Sequence, residues 1–146
     1  MREATPADIG LMREAIGLAA EADMPFGAVI VKDGKTLARG RNSGKSLKDP
    51  TAHGEMVAIH NCLAEHGPEV LRGATIYTSG EPCPMCMGAI LWCRIGRVVY
   101  GASIPQLATK IGQIMVPCVE IAEKTPFTSV EIMGGVLAEE ALELFG

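Results

Sequence analysis

Two short motifs hold the residue types that could do chemistry. His53 precedes Glu55 by two positions in His53-Gly54-Glu55, and Cys83 precedes Cys86 by three in Pro82-Cys83-Pro84-Met85-Cys86. A Cys-x-x-Cys across the first turn of a helix puts both sulfurs on one face, where the helix dipole and a cation favour the ligating thiolate. Two thiolates and one imidazole suit zinc, and a tetrahedral ion with three protein ligands keeps its fourth position for water, as catalytic sites do. Zinc lowers the pKa of bound water from about 15.7 to about 7. Glu55, beside the metal rather than on it, is placed to take that proton and hand it on. The expected chemistry is hydrolytic, with His53, Cys83 and Cys86 as zinc ligands and Glu55 as the catalytic proton carrier.

That arrangement needs two helix starts beside a common strand. Thr5, Pro6 and Asp8 read as an N-cap, a first-turn proline and the acid of a capping box. Ile9, Met12, Ala15, Ile16, Ala19 and Ala20 then form one apolar stripe of a helix running to about residue 23, before Pro25. Residues 27–32 read as a strand, Asp33-Gly34 as a hairpin turn and 36–41 as the partner strand. A second helix is expected from Thr51 to Gly67-Pro68, then a strand over 74–79, a helix over 85–94 and a strand over 97–101. Beyond Pro105 the pattern predicts a helix over 107–115, an edge strand over 129–133 and a helix over 137–145. A hairpin gives antiparallel neighbours and helical crossovers give parallel ones, so the fold class is α/β around one mixed sheet.

The chain has 146 residues, 48% of them hydrophobic, which is enough for one core and argues for a single domain over 1–146. No apolar run approaches the roughly 18–20 residues of a membrane span. The start, with Arg2 beside Glu3 and Asp8, does not read as a signal or transit peptide, so a cytoplasmic protein is expected. Thirteen Lys and Arg against 17 Asp and Glu give a net charge of −4, which does not point to a nucleic-acid binder. The basic residues Arg39, Arg41, Lys45 and Lys48 could track phosphates, but they are read here as a solvated hairpin and loop. Five cysteines are an odd number for a disulfide framework, and Cys62, Cys93 and Cys118 sit in apolar surroundings as core residues. Two bland readings of Cys83 and Cys86 remain. A thioredoxin-like redox pair would not need the His-x-Glu motif, and a closed structural site would need a fourth ligand such as His60, His66 or Cys93. His60 lies two helical turns, about 10 Å, beyond His53.

Residues 26–101 resemble the cytidine deaminase-like superfamily, through Pro25-Phe26-Gly27-Ala28-Val29, Asn42, Asp49-Pro50-Thr51-Ala52-His53-Gly54-Glu55 and Thr78-Ser79-Gly80-Glu81-Pro82-Cys83-Pro84-Met85-Cys86. The resemblance implies a three-layer α/β/α cytidine deaminase-like fold with a mixed five-stranded sheet, Zn2+ as cofactor, and hydrolytic deamination of an aminated ring. It makes Asn42, Phe26, Ala52 and Trp92 candidate substrate contacts, although the two aromatics also suit core positions. The stretch from Ser79 to Cys86, with Trp92, is similar to guanine deaminases; His53-Gly54-Glu55 is similar to fungal cytosine deaminase; residues 94–102 are similar to tRNA adenosine deaminases. Where guanine deaminases carry an acid shortly after that last strand, this chain has Gln106. The expected function is release of ammonia from a free amino-substituted nucleobase, nucleoside or related small-molecule heterocycle by a cytoplasmic homodimer. The region from about 104 to 146 would complete the pocket or the subunit contact. The alternatives are a tRNA-specific adenosine deaminase and a non-catalytic zinc-stabilised binding module.

Overall fold

The protein is described from a computed structural model covering residues 3–127 and 129–146; Met1, Arg2 and Thr128 lie outside the described residues. Helix α1 spans Pro6–Ala20, and its start follows the expected chemistry: the Thr5 hydroxyl accepts from the Asp8 N–H while the Asp8 carboxylate accepts from the Thr5 N–H. Strands β1 (Gly27–Lys32) and β2 (Lys35–Arg41) form an antiparallel hairpin through Asp33 and Gly34, both at positive φ. Then follow α2 (Gly54–His66), a 3₁₀ turn at Glu69–Leu71, β3 (Thr75–Gly80), α3 (Pro84–Trp92) and β4 (Arg97–Ala102).

The sheet has five strands in the order β2-β1-β3-β4-β5, with β5 at Glu131–Met133. Strand β1 is antiparallel to β2 and β3, while β3, β4 and β5 run parallel, so the sheet is mixed as expected. Its register builds two rows across the strands. Ile30, Ile76, Val98 and Ile132 line one face, and Val29, Tyr77, Val99 and Met133 line the other. The first face packs under α2 and α3 with Ala58, Ile59, Met87 and Ile90; the second packs under α1 with Met12 and Ala15. Helices on both faces leave no wet side, which is why the inner strands read as continuous apolar runs.

Close approach of α2 to the sheet depends on Gly40. A Cβ there would lie 2.3 Å from the Ala58 nitrogen and 2.4 Å from the Gly54 oxygen. Only a bare backbone lets the helix carrying Glu55 lie across β2 at this distance.

The structure departs from expectation in three places. Helix α2 begins at Gly54 rather than Thr51, because Asp49 accepts from both the N–H and the hydroxyl of Thr51 and holds the preceding residues in a turn. The helix expected over 107–115 is instead a short α4 at Ile104–Ala108. Ser103 and Gln106 form a capping box with Pro105 in its first turn, and the chain then runs without regular structure from Gly112 to Pro117. A further helix, α5 at Cys118–Glu123, was not expected; the last, α6 at Ala138–Glu143, falls within the expected range. No helix among the described residues is long and apolar enough to cross a membrane.

Candidate metal and active centre

The site forms where β1 starts and β3 and β4 end, at one edge of the sheet. The Gly27 N–H donates to the Ser79 hydroxyl at 3.0 Å, and the Asn42 N–H donates to the Phe26 carbonyl at 2.9 Å. These bonds draw the ends of β1, β2 and β3 together. The first turns of α2 and α3 project over this edge, the usual ligand position outside the carboxyl ends of parallel strands.

His53 and Cys83 occupy the N-cap positions of α2 and α3, both in extended backbone, and neither side chain caps its own helix. Both turn instead toward each other. The Cys83 sulfur lies 3.5 Å and the Cys86 sulfur 3.6 Å from His53 Nδ1, and the three ligand atoms lie within 4.8 Å of one another. Zn–S bonds of about 2.3 Å and Zn–N bonds of about 2.0–2.1 Å at tetrahedral angles separate sulfur from nitrogen by about 3.6 Å, so the trio has the spacing zinc requires. Cys86 is fully buried, whereas His53 and Cys83 face a cavity.

The protons are arranged as a metal centre would need them. The Cys83 thiol is pushed down to about 4, first by the hydrogen bond with Cys86 and then by His53. Cys86 is held up by that same bond and by burial, and the Cys83 sulfur raises His53. The Cys83 thiolate, the Cys86 thiol and the His53 ring thus share a small space, and a cation placed among them would displace the protons they hold. Glu55, 6% exposed, borders the same cavity, and burial pushes its carboxyl up to about 7, where it can both give and take a proton near neutrality.

The cavity measures about 180 Å³ and is lined by Met24, Phe26, Asn42, His53, Glu55, Glu81, Cys83, Ile111, Gly112 and Gln113. Of the sequence-predicted residues, His53, Glu55, Cys83, Asn42 and Phe26 meet here. Cys86 sits directly behind the wall. Ala52 is buried, but it does not line the cavity. Trp92 lies elsewhere, 70% exposed and packed on Phe127 at 4.6 Å between ring centroids, so it offers no stacking surface to a ligand in this cavity. Gln106 is also outside it, committed to the cap of α4. The sequence reading missed Met24, Glu81, Ile111, Gly112 and Gln113. Glu81 stands inside a quoted motif, but the other four carry no spacing signal.

A larger groove of about 620 Å³ runs between β2 and α2 and is lined by Leu37, Arg39, Asn61 and His66, among others. Asn61 donates to the Arg39 carbonyl there and His66 reaches the Leu37 carbonyl, so these side chains cover the edge of β2. The basic residues nearby are paired: Arg39 with Glu14, and Arg41 with Glu21 at 3.3 Å.

Residues 6–102 match the family described as the cytidine and deoxycytidylate deaminase zinc-binding region. The chain is 51% identical over 78 residues to a guanine deaminase of Bacillus subtilis, a match covering 53% of this chain and 50% of that one. It is 37% identical over 134 residues to the tRNA-specific adenosine deaminase of the same organism, covering 88% of this chain and 80% of the relative. A solved structure from a study of A-to-I editing by tRNA:A34 deaminases superposes with a TM-score of 0.79 at 34% identity, covering 92% of this chain and 98% of that one. Several curated relatives are longer, and the chain spans half of their length or less.

Proposed function

The chain belongs to the family of the cytidine and deoxycytidylate deaminase zinc-binding region, and on that premise we propose that it is a hydrolytic deaminase releasing ammonia from a small amino-substituted heterocycle, of guanine or cytosine type. One observation carries the reading: a titratable, buried Glu55 and the His53, Cys83 and Cys86 trio open onto one cavity about the size of a single ring system, about 180 Å³.

Zinc held by His53, Cys83 and Cys86 supplies Lewis acidity and a water of lowered pKa. The side chains do the rest. Phe26, fixed edge-on against Phe145 at 5.4 Å between centroids, gives the ring an apolar wall. The side-chain oxygen of Asn42 accepts from the Gly44 N–H at 3.0 Å, which leaves its NH2 group to donate to a ring acceptor. Glu55 takes one proton from the attacking water and delivers it to the ring nitrogen next to the amine-bearing carbon, then carries the second proton, from the hydroxyl now on that carbon, to the departing amine. Water is consumed, the C–N bond breaks, a ring carbonyl forms and ammonia leaves. Pocket closure by Ile111, Gly112 and Gln113 keeps bulk water from this transfer.

A free ring is favoured over a nucleic acid by the charge of the chain. Arg39 is matched by Glu14 of α1 and Arg41 by Glu21 just after it, and the whole chain carries −4. The second reading is a tRNA adenosine deaminase, favoured by the length of the 37% identity and by the 98% coverage of the tRNA:A34 deaminase structure. In either case Trp92 and Phe127, both exposed, are the apolar pair from which a cytoplasmic homodimer would be built.

One assay separates the two readings: ammonia release from guanine, cytosine, adenine, their nucleosides and aminated triazines and pterins, run beside inosine formation in a tRNA anticodon arm. Turnover of a free ring with inert tRNA supports the first reading. Inosine in the tRNA with inert free rings replaces it with the second.

A further inference from the structure

Glu81 is a buried carboxylate that lines the cavity beside Glu55. It is 6% exposed, two positions before the zinc-ligand candidate Cys83, and no Lys, Arg or His among the described residues pairs with it. A buried carboxylate without a cation needs N–H donors instead. Two come from backbone: Oε1 accepts from Ile104 at 2.8 Å and Oε2 from Cys118 at 2.7 Å, with the weakly donating Cys118 thiol against the same carboxylate. Its own N–H donates to the Ala102 carbonyl at 2.8 Å, which fixes it to the end of β4.

The two donors stand at the two ends of one excursion of the chain. Ile104 opens α4 and Cys118 opens α5, so each N–H is one that its helix leaves without an internal partner. Between them the chain carries Ile111, Gly112 and Gln113 to the cavity and leaves Ile114 and Met115 exposed. Ile104, Leu107 and Cys118 are buried, but from 108 to 117 the excursion buries no side chain, and its two ends are held by the two oxygens of a single side chain next to the metal-binding turn. We infer that Glu81 is a positioning residue for substrate: it pins both ends of segment 104–118 so that Ile111, Gly112 and Gln113 close on the ring, and thereby sets which rings fit. The inference rests on the deaminase reading for the identity of the ligand, but the tether is a property of the chain alone.

Two independent lesions test it on the zinc-loaded protein. Glu81→Gln removes one of the two acceptors. Cys118→Pro removes only the other bond's donor, at a first helical position that proline tolerates and after Pro117, whose φ of −66° and ψ of 144° suit a following proline. Cys118→Ala, which keeps the N–H, controls for loss of the thiol. Three quantities are read: zinc per chain, amide hydrogen exchange over 104–118, and kcat and KM for the ring that turns over. Each lesion is expected to leave zinc unchanged, to speed exchange of the segment by about tenfold or more, and to raise KM by about tenfold with kcat nearly constant, while Cys118→Ala stays like the parent. Unchanged exchange in Cys118→Pro and Glu81→Gln overturns the tether. Faster exchange with unchanged KM, or a fall in kcat alone, overturns the positioning role. If the parent releases no ammonia from any ring, the functional reading fails, while the exchange data still decide the tether. If Glu81→Gln does not fold, Cys118→Pro against Cys118→Ala carries the decision.

Discussion

Asp8 on α1 and Arg97 on β4 meet in a bidentate ion pair, Nη1 to Oδ1 at 2.9 Å and Nη2 to Oδ2 at 3.0 Å, while the Tyr77 hydroxyl donates to the same carboxylate at 2.7 Å. Since that carboxylate also accepts from the Thr5 N–H, one side chain both starts the helix and clamps it to the sheet. The Arg97 guanidinium holds the Asp8 carboxyl well below the usual range, and burial with the Asp8 charge pushes Tyr77 up to about 12.

This pair dictates an acid dependence. A carboxyl whose folded-state pKa lies below its unfolded value of about 3.9 contributes fully above that pH and loses its contribution as pH falls beneath it. Asp8→Asn should cost about 2 kcal/mol at pH 7, since it takes the bidentate partner from a mostly buried Arg97 and leaves it only the Glu131 carboxylate at 3.3 Å. Urea melts at pH 7 and pH 3 check this: the gap between parent and variant should narrow at pH 3. A gap that is absent at pH 7, or that widens in acid, refutes it.

Metal removal is predicted to act on the fold as well as on turnover. His53, Cys83 and Cys86 bridge the starts of α2 and α3, so a bound ion joins two elements that otherwise meet mainly through apolar packing. Dialysis against a strong chelator should lower the melting temperature by several degrees, and zinc added back should restore it. Cys83→Ser should retain well under one zinc per chain. Full zinc content in that variant, measured by atomic absorption, would remove Cys83 from the ligand set.

Asn42 has one job for each end of its amide. Its oxygen holds the turn to Gly44, and on the proposed reading its NH2 donates to the substrate. Asn42→Asp keeps the turn acceptor and replaces the donor with a charge, so it should melt within about 1 kcal/mol of the parent while KM rises about 10- to 100-fold. Steady-state kinetics beside a thermal melt read both. An unchanged KM would place the ring elsewhere.

Gly40→Ala puts a methyl into the backbone of α2. The helix must lift, at a cost of about 2–3 kcal/mol, and it carries His53 and Glu55 with it. Urea denaturation should show the loss, and turnover should fall even where the protein remains folded. A variant as stable and active as the parent would mean that α2 does not lie this close to β2.

What the sequence discloses follows how local each signal is. The Thr5, Pro6 and Asp8 cap, the Asp33-Gly34 turn and the metal trio depend on neighbours a few residues apart, or on motifs that mark helix starts, and all three are legible. The Asp8 to Arg97 pair joins residues 89 positions apart, and nothing in either neighbourhood announces it. The cavity wall at Ile111, Gly112 and Gln113 has neither helical nor strand periodicity, because beyond α4, whose Leu107 is buried, the chain runs through turn and irregular backbone with no buried side chain before Cys118. Trp92 misled for a related reason: an aromatic at the end of an apolar helix reads as core or ligand contact, while here it lies on the surface against Phe127.

On the proposed reading, Glu55 moves protons beside a zinc held by His53, Cys83 and Cys86 alone. The most direct test is zinc content and ammonia release measured together on Glu55→Gln. One zinc per chain is expected, as in the parent, with turnover reduced by about 10²- to 10⁴-fold. Turnover within a few-fold of the parent, or loss of the zinc along with the activity, would contradict it.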